Sequence, residues 1–517
     1  MVTTRETIKK NLTPIYLALV GIVCAICYYY SFDPKVFIGG DNVYYYNLGK
    51  AIATGKGYVT LNQPGLPYAS HYPPGYPAII ALVMTLFSQS IITIKIFNGI
   101  FLLGSAICSF YIFETLSENK HLAFAGSLLI VLNASMLKYS TIMMSEIPFL
   151  LFSMVALLLF IRAKKESNPL RQPYFYGFIV CLSIAFHIKT LGMALVSGTI
   201  LYMLFYKRWK WAISTAAGFG LLALPWIIRN RMIGAGGSYV HQLLMVNPYR
   251  PELGMAGVSD FVLRFWNNLQ RYIAVEIPNG ILPVLKNNVT SYSFLAWVIG
   301  ILMCLIIVYG LYRLKNYAVL MGAYFISMFG ILLLWPSVWF GVRFLLPIIP
   351  LLLFCFLVGL HQLLSLASEK LGAVVHWSPL YLLLLGLTFI PSINARRMQA
   401  KAHYPANWGT YIQIAKWARK NTDPDAIISC RKPAIFYLFS ERKTFRFKDT
   451  PNHEELFQDL KKRGTDYVVL DQLGFSSTPR YLYPMLKKYQ NHFKTVLKGT
   501  TTQTYLLKFQ PDSTNHE

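Results

Sequence analysis

The stretch VFIGGDNVYYYNLGKAIATGKGY (residues 36–58) follows directly on the first apolar run of the chain. It places a single acid, Asp41, between a Gly-Gly pair and three consecutive tyrosines. Its meaning depends on which side of a membrane it occupies. The 517 residues are 55% hydrophobic and only 14% charged, with a mean hydropathy of +0.43. Soluble chains carry about a quarter charged residues. Apolar runs near 20 residues recur along the chain, each long enough to cross a ~30 Å hydrocarbon core. The first, Leu12 to Tyr30, has Arg5, Lys9 and Lys10 before it but no small-residue cleavage site after it, so it reads as a span and not a cleaved signal.

Basic residues concentrated in short loops orient the spans. With the amino terminus inside, spans fall at 12–30, 94–115, 121–138, 146–163, 174–188, 190–206, 211–227, 293–312, 317–335, 344–366 and 376–394. That is about eleven, with RAKKESNPLRQ, KRWK and RLKN all inside. The first outer loop is then 31–92, a long outer segment is 228–291, and the carboxyl-terminal tail lies outside. Segment 76–91 begins with proline-rich HYPPGYP and reads as an outer helix dipping into the bilayer, since prolines suit a helix start and not its middle. The net charge of +26 follows from orientation and headgroup contact, and gives no case for nucleic acid.

Residues 1–394 thus form a transmembrane domain, and 395–517 a polar one with 21 Lys and Arg against 11 Asp and Glu. In the tail AIISC, TFRF and YVVLD read as strands. NWGTYIQIAKWARKN, NHEELFQDLKKRG and YLYPMLKKYQNHF read as helices, giving a small α/β domain on the outer surface. Cys430 is the sole tail cysteine, so the tail has no internal disulfide. No Walker motif supports an ATP-driven pump.

Ionisable residues at membrane depth point to function. The topology brings Asp41, Glu146 (MMSEIPF), Lys189 (HIKTLG), Arg343 (WFGVRFLLPIIP) and Arg229 with Arg231 (RNR) to one face. Each also has a plainer role. Asp41 can cap the helix that follows, and the tyrosines can be an interfacial belt. Glu146 can serve a helix dipole, Lys189 and Arg343 can snorkel, and His71 can be an ordinary loop histidine. Together, a base, a second acid and several cations suit group transfer from a lipid-linked phosphate. The cations would hold the phosphate and a carboxylate would take the acceptor proton.

At these residues the sequence resembles the integral-membrane glycosyltransferases of the C fold (glycosyltransferase family 39-like), in the branch of bacterial protein O-mannosyltransferases and the lipid A aminoarabinose transferase. GGDNVYYYNLGKAIATGKGY, YPPGYP, YSTIMMSEIPFLLF, HIKTLGMAL and VRFLLPIIPLLL match its motifs in order along the whole chain. The resemblance implies a polytopic helical fold with an outer α/β domain in a bacterial inner membrane. It implies a polyprenyl-phosphate sugar donor and inverting transfer on the periplasmic face to protein, lipid A or polysaccharide. It implies Asp41 as base, and Glu146 orienting the acceptor or helping a divalent cation. Lys189 and Arg343 would contact the donor phosphate. By position on the same face, Arg229 is a further candidate phosphate contact, Tyr44, Tyr45 and Tyr72 are candidate substrate-lining residues, and His71 is a candidate metal ligand. Asn42 stands where many relatives carry a second acid, and His71 and Tyr72 where the aminoarabinose branch has an acid and a lysine. A transporter or flippase is the alternative of a different class; it would show half-repeats and midplane charges.

Overall fold

The computed structural model describes residues 2–163, 168–234, 238–283, 292–370 and 378–511. Parts of the RAKKESNPLRQ loop, of segment 228–291 and of the expected span 376–394 lie outside these residues. The membrane domain opens with α1 (Val2–Ser31). The first loop then carries α2 (Asn42–Ala53) and α3 (Gly75–Leu86). Next come α4 (Ile91–Ser117), α5 (Lys120–Leu132), α6 (Ala134–Ser140), α7 (Glu146–Ala163), α8 (Pro173–Ile188), α9 (Met193–Phe205) and α10 (Trp209–Met232). The long segment holds α11 (Ser238–Leu244), α12 (Val258–Arg271) and α13 (Ile277–Ile281). It is followed by α14 (Phe294–Arg313), α15 (Ala318–Leu334), α16 (Ile349–Lys370), a 3-10 stretch Pro379–Phe389 and α17 (Ile390–Lys401).

Among the described residues eight helices are long and apolar enough to span, or nine when α5 and α6 count as one. The apolar segments 173–188 and 190–205 are shorter; with them the tally reaches the expected eleven. The expected single span 121–138 is bent by 56° at Asn133. That side chain caps α6 by accepting from the Ser135 and Met136 amides, and donates to Gly280 O at 2.8 Å. With 12 residues α3 is about 18 Å long at 1.5 Å per residue, too short to cross. Its exposed Leu82 and Leu86 suit a helix lying in lipid.

The sequence pattern places 258–271 only within an outer segment. It forms an amphipathic helix with Val258, Val262, Leu263 and Trp266 exposed on one side and Arg264 buried beneath, donating to Leu243 O. Such a helix lies in the interface plane.

The tail comprises α18 (Ala406–Asn421), β1 (Ile427–Ser429), α19 (Pro433–Ser440), β2 (Lys443–Phe445), α20 (His453–Lys462), β3 (Tyr467–Leu470), α21 (Tyr483–Lys488), β4 (Phe493–Lys498) and β5 (Tyr505–Phe509). Its sheet has the order β2-β1-β3-β5-β4, with β1 parallel to β2 and β3, and β5 antiparallel to β3 and β4. The three strands read from sequence are present, and β4, β5 and α19 are additions. The tail docks on the first loop. Val36 and Val43 enter its core beside Tyr411 and Ile414, Asn62 Nδ2 donates to Thr444 O at 3.0 Å, and Lys443 Nζ donates to Leu61 O at 2.9 Å. Asp41 and the tail therefore share one face.

Helices α14 and α16 meet backbone to backbone at two glycines. A Cβ on Gly310 would lie 1.8 Å from Cys355 O, and one on Gly359 2.2 Å from Ile306 O. Without water to drive helix association, such close small-residue contacts hold membrane helices together. Gly310→Ala forces the helices apart and is expected to cost about 1–3 kcal/mol, read as a lower thermal midpoint in detergent with a smaller loss for Gly220→Ala, which faces open space.

Candidate active site

The Gly-Gly-Asp turn sets the first acid. Gly40 has φ +64°, a left-handed conformation favouring glycine, and a Cβ there would lie 3.2 Å from Met144 Cε. Asp41 occupies the position before α2, but its side chain makes no capping hydrogen bond. The carboxylate points instead to Arg343, with Oδ2 3.7 Å from Nη2. Side-chain capping by Asp41 is thus not realised; the electrostatic pull of the guanidinium replaces it. Asn42 Nδ2 donates to Phe37 O and Gly39 O, both at 2.7 Å, and tightens the turn. An ionised acid at that position has no proton to donate to those carbonyls.

Glu146 opens α7 and is fully buried. Its Oε1 accepts from Lys189 Nζ at 2.9 Å and lies 3.4 Å from Arg343 Nε. Arg343 is carried by the short turn Val342–Phe344, and Lys189 by the turn between α8 and α9. Gly75 seats the start of α3 against that second turn, because a Cβ there would lie 2.6 Å from the His187 carbonyl carbon. Four residues from four distant motifs thus form one chain, Asp41–Arg343–Glu146–Lys189. Its two negative and two positive charges balance, as burial of ions demands.

This chain borders a cavity of about 1230 Å³. Asp41, Lys189 and Arg343 line it, with Tyr44, Tyr45, His71 and Tyr72 of the first loop. The rings of Tyr45 and Tyr72 lie 4.9 Å apart, and Tyr45 Oη is 3.2 Å from Ser145 Oγ. Burial raises the phenols of Tyr45 and Tyr72 well above their usual range and that of Tyr44 to about 12, so these groups stay neutral. His71 stacks on Tyr239 at 5.0 Å, and burial lowers its pKa.

Two residues depart from the expected roles. Glu146 is not among the residues bordering the cavity; it sits behind Arg343 and Lys189 and contacts both. Arg229 also lies off the wall. It donates to Ala69 O at 2.8 Å and Tyr58 O at 3.3 Å and packs on Tyr58 and Trp226, bracing the loop that carries His71. The donor set does not fit a resident divalent cation. Among the described residues no three His, Cys, Asp or Glu side chains converge, and Arg343 lies between the two acids.

The tail supplies wall residues that sequence reading missed: Arg431 and Lys432 after β1, Arg446 after β2, and Phe475 after β3. They sit beyond the carboxyl ends of three parallel strands, where open α/β sheets bind ligands. The strand reading and the basic pairs in CRKP and FRFK were the available signal. An aromatic wall faces them, with Trp335 and Trp339 5.6 Å apart and Trp339 Nε1 donating to Tyr249 Oη at 2.9 Å.

Comparison with solved structures decides the fold. ArnT from Cupriavidus metallidurans bound to undecaprenyl phosphate superposes with a TM-score of 0.61 at 10% identity, covering 95% of this chain and 98% of that one. This is the C fold of membrane glycosyltransferases. A second C-fold structure, the Archaeoglobus fulgidus oligosaccharyltransferase tethered with an acceptor peptide, matches with a TM-score of 0.60 at 14% identity, covering 96% of this chain and 74% of that one. Residues 71–230 match the family model described as dolichyl-phosphate-mannose-protein mannosyltransferase. Comparison with curated proteins by sequence gives no match. The resemblance read from the motifs is therefore borne out in fold. In this C-fold chain the matched segment carries His71, Tyr72, Glu146, Lys189 and Arg229, while Asp41 and Arg343 flank it.

Removing one member of a buried ion pair costs about 3–5 kcal/mol, because its partner is left uncompensated. Glu146→Ala is expected to lower the thermal midpoint strongly, and Glu146→Ala/Lys189→Met to recover part of that loss. A double variant no more stable than Glu146→Ala would show that the pair is not coupled.

Proposed function

We propose that this chain transfers a sugar from a polyprenyl-phosphate-linked donor to an acceptor hydroxyl, with inversion, on the membrane face that carries the tail. The observation that carries the reading is the juxtaposition of Asp41 and Arg343 on one cavity wall, 3.7 Å apart, with Lys189 beside them. A base and two cations around one space supply the three needs of the reaction. The acceptor oxygen forms a bond to the anomeric carbon as the carbon–oxygen bond to the lipid phosphate breaks. The bonding electrons leave with the phosphate, and the acceptor proton passes to the Asp41 carboxylate.

Arg343 and Lys189 offset the charge growing on the leaving phosphate, and Glu146 fixes both from behind. The cavity exceeds the ~300–1,000 Å³ of ordinary small-ligand sites, which leaves room for donor headgroup and acceptor together. The solved ArnT structure holds undecaprenyl phosphate and the archaeal oligosaccharyltransferase structure an acceptor peptide, so both ligand classes are known on this fold. The positive-inside pattern makes this the outer face of the membrane, and the resemblance reads it as the periplasmic side of a bacterial inner membrane. Protein, lipid A and polysaccharide are the acceptor classes in scope.

The test is transfer by purified protein reconstituted with polyprenyl-phosphate sugars. Asp41→Asn should lower the transfer rate by about 10²–10⁴-fold, with donor binding and thermal midpoint close to the parent. Near-parental transfer would remove Asp41 as base. Arg343→Ala should weaken donor binding by about tenfold or more. Movement of the donor across sealed vesicles without cleavage of its phosphate–sugar bond would establish a transporter instead.

A further inference from the structure

The two sides of the cavity differ in charge balance. On the membrane side Lys189 and Arg343 are offset by Glu146 and Asp41. On the tail side Arg431 is only 7% exposed, yet neither it nor Lys432 makes a side-chain hydrogen bond or ion pair among the described residues. Both rest on one ring: Arg431 Cζ lies 4.4 Å and Lys432 Nζ 4.6 Å from the centre of Phe475. Arg431 Nε is buried without a hydrogen-bond partner among the described residues. The acids nearby have other partners: Asp449 pairs with Arg446, Asp471 accepts from Leu473 N and Thr478 Oγ1, and Asp41, whose charge reaches Lys432, pairs with Arg343. A buried cation without a counter-ion is destabilising. Buried Arg431 and half-buried Lys432, side by side on a cavity wall without a paired carboxylate among the described residues, make sense when a ligand supplies the negative charge.

We infer that Arg431 and Lys432, seated on Phe475 at the carboxyl end of β1, form a second anion subsite that takes a phosphate group of a substrate held in the cavity. The subsite lies on a different element from the Arg343–Lys189 pair, so it serves a charge other than the monophosphate assigned there. That assignment rests on the proposed transfer reading; the subsite itself does not. Two sources share the chemistry, the outer phosphate of a diphosphate-linked lipid and a phosphate carried by the acceptor. Burial and the neighbouring Arg431 push the Lys432 ammonium down to about 8. The other charged or titratable groups around the pair are Asp41, Tyr44, Arg446, Asp449, Asp471, Tyr249 and Tyr411. Lys432 is cationic below that pH and neutral above it, so its share of anion binding is present at neutral pH and fades as the pH rises through about 8.

The experiment measures equilibrium binding to the full chain in lipid nanodiscs, with three probes: polyprenyl phosphate, polyprenyl diphosphate, and inorganic phosphate added after saturation with polyprenyl phosphate. If the donor is the source, the diphosphate lipid binds at least about tenfold more tightly than the monophosphate, and Arg431→Gln/Lys432→Gln erases the difference. If the acceptor is the source, inorganic phosphate binds the saturated protein and the double variant weakens it by about tenfold or more. Should the double variant fold poorly, Lys432→Gln alone and the pH profile carry the test. Binding should fall as pH rises through about 8, and Lys432→Arg should flatten that fall. The inference is overturned if parent and double variant agree within about twofold for both probes, or if neither probe binds beyond the monophosphate. It is equally overturned if the double variant loses polyprenyl phosphate as fully as Arg343→Ala does. A parent that binds inorganic phosphate through Arg431 and Lys432 but never polyprenyl phosphate would sink the transfer reading and leave the subsite standing.

Discussion

Everything at this site depends on one guanidinium shared between two carboxylates. Arg343 reaches Asp41 on one side and Glu146 on the other, and Glu146 in turn holds Lys189. The pairs join the first loop, the start of α7, the α8–α9 turn and the turn before α16, which lie as much as 302 residues apart in sequence. A planar guanidinium suits this better than an ammonium, because its donors point in several fixed directions at once. The arrangement also grades the two acids by environment. Glu146 is buried and committed to its cations, whereas Asp41 is about a third exposed and open to a substrate.

The charge ledger of the cavity extends this division of labour. The membrane-side cluster is internally neutral and so can stay buried without a ligand. The tail-side pair has no side-chain ion pair among the described residues and rests on the ring of Phe475. The docking of the tail on the first loop, through Val43 and Asn62, keeps the two halves in register close to Asp41.

Much of this was legible in the sequence because membrane insertion constrains a chain so strongly. Span length and the placement of basic loops put Asp41, Glu146, Lys189 and Arg343 on one face, and the structure brings those four into contact. The failures have physical causes. Arg229 ends an apolar helix just as Arg343 begins one, so charge and position alone do not separate them; in the structure Arg229 donates to the backbone carbonyls of Ala69 and Tyr58. The bend at Asn133 arises from a side chain that caps one helix while tying down another element 147 residues away, a contact no local pattern encodes. In sequence Arg431 and Lys432 look like ordinary surface charge; the parallel order of β2, β1 and β3 turns their strand ends toward the cavity.

The most direct test of the central claim, that Asp41 assists a single displacement at the anomeric carbon, is the anomeric configuration of the product. With a donor of known configuration, nuclear magnetic resonance of the transferred sugar should show it inverted. A retained configuration would require a covalent sugar–enzyme intermediate or a second displacement, and would contradict Asp41 as the base of a direct transfer.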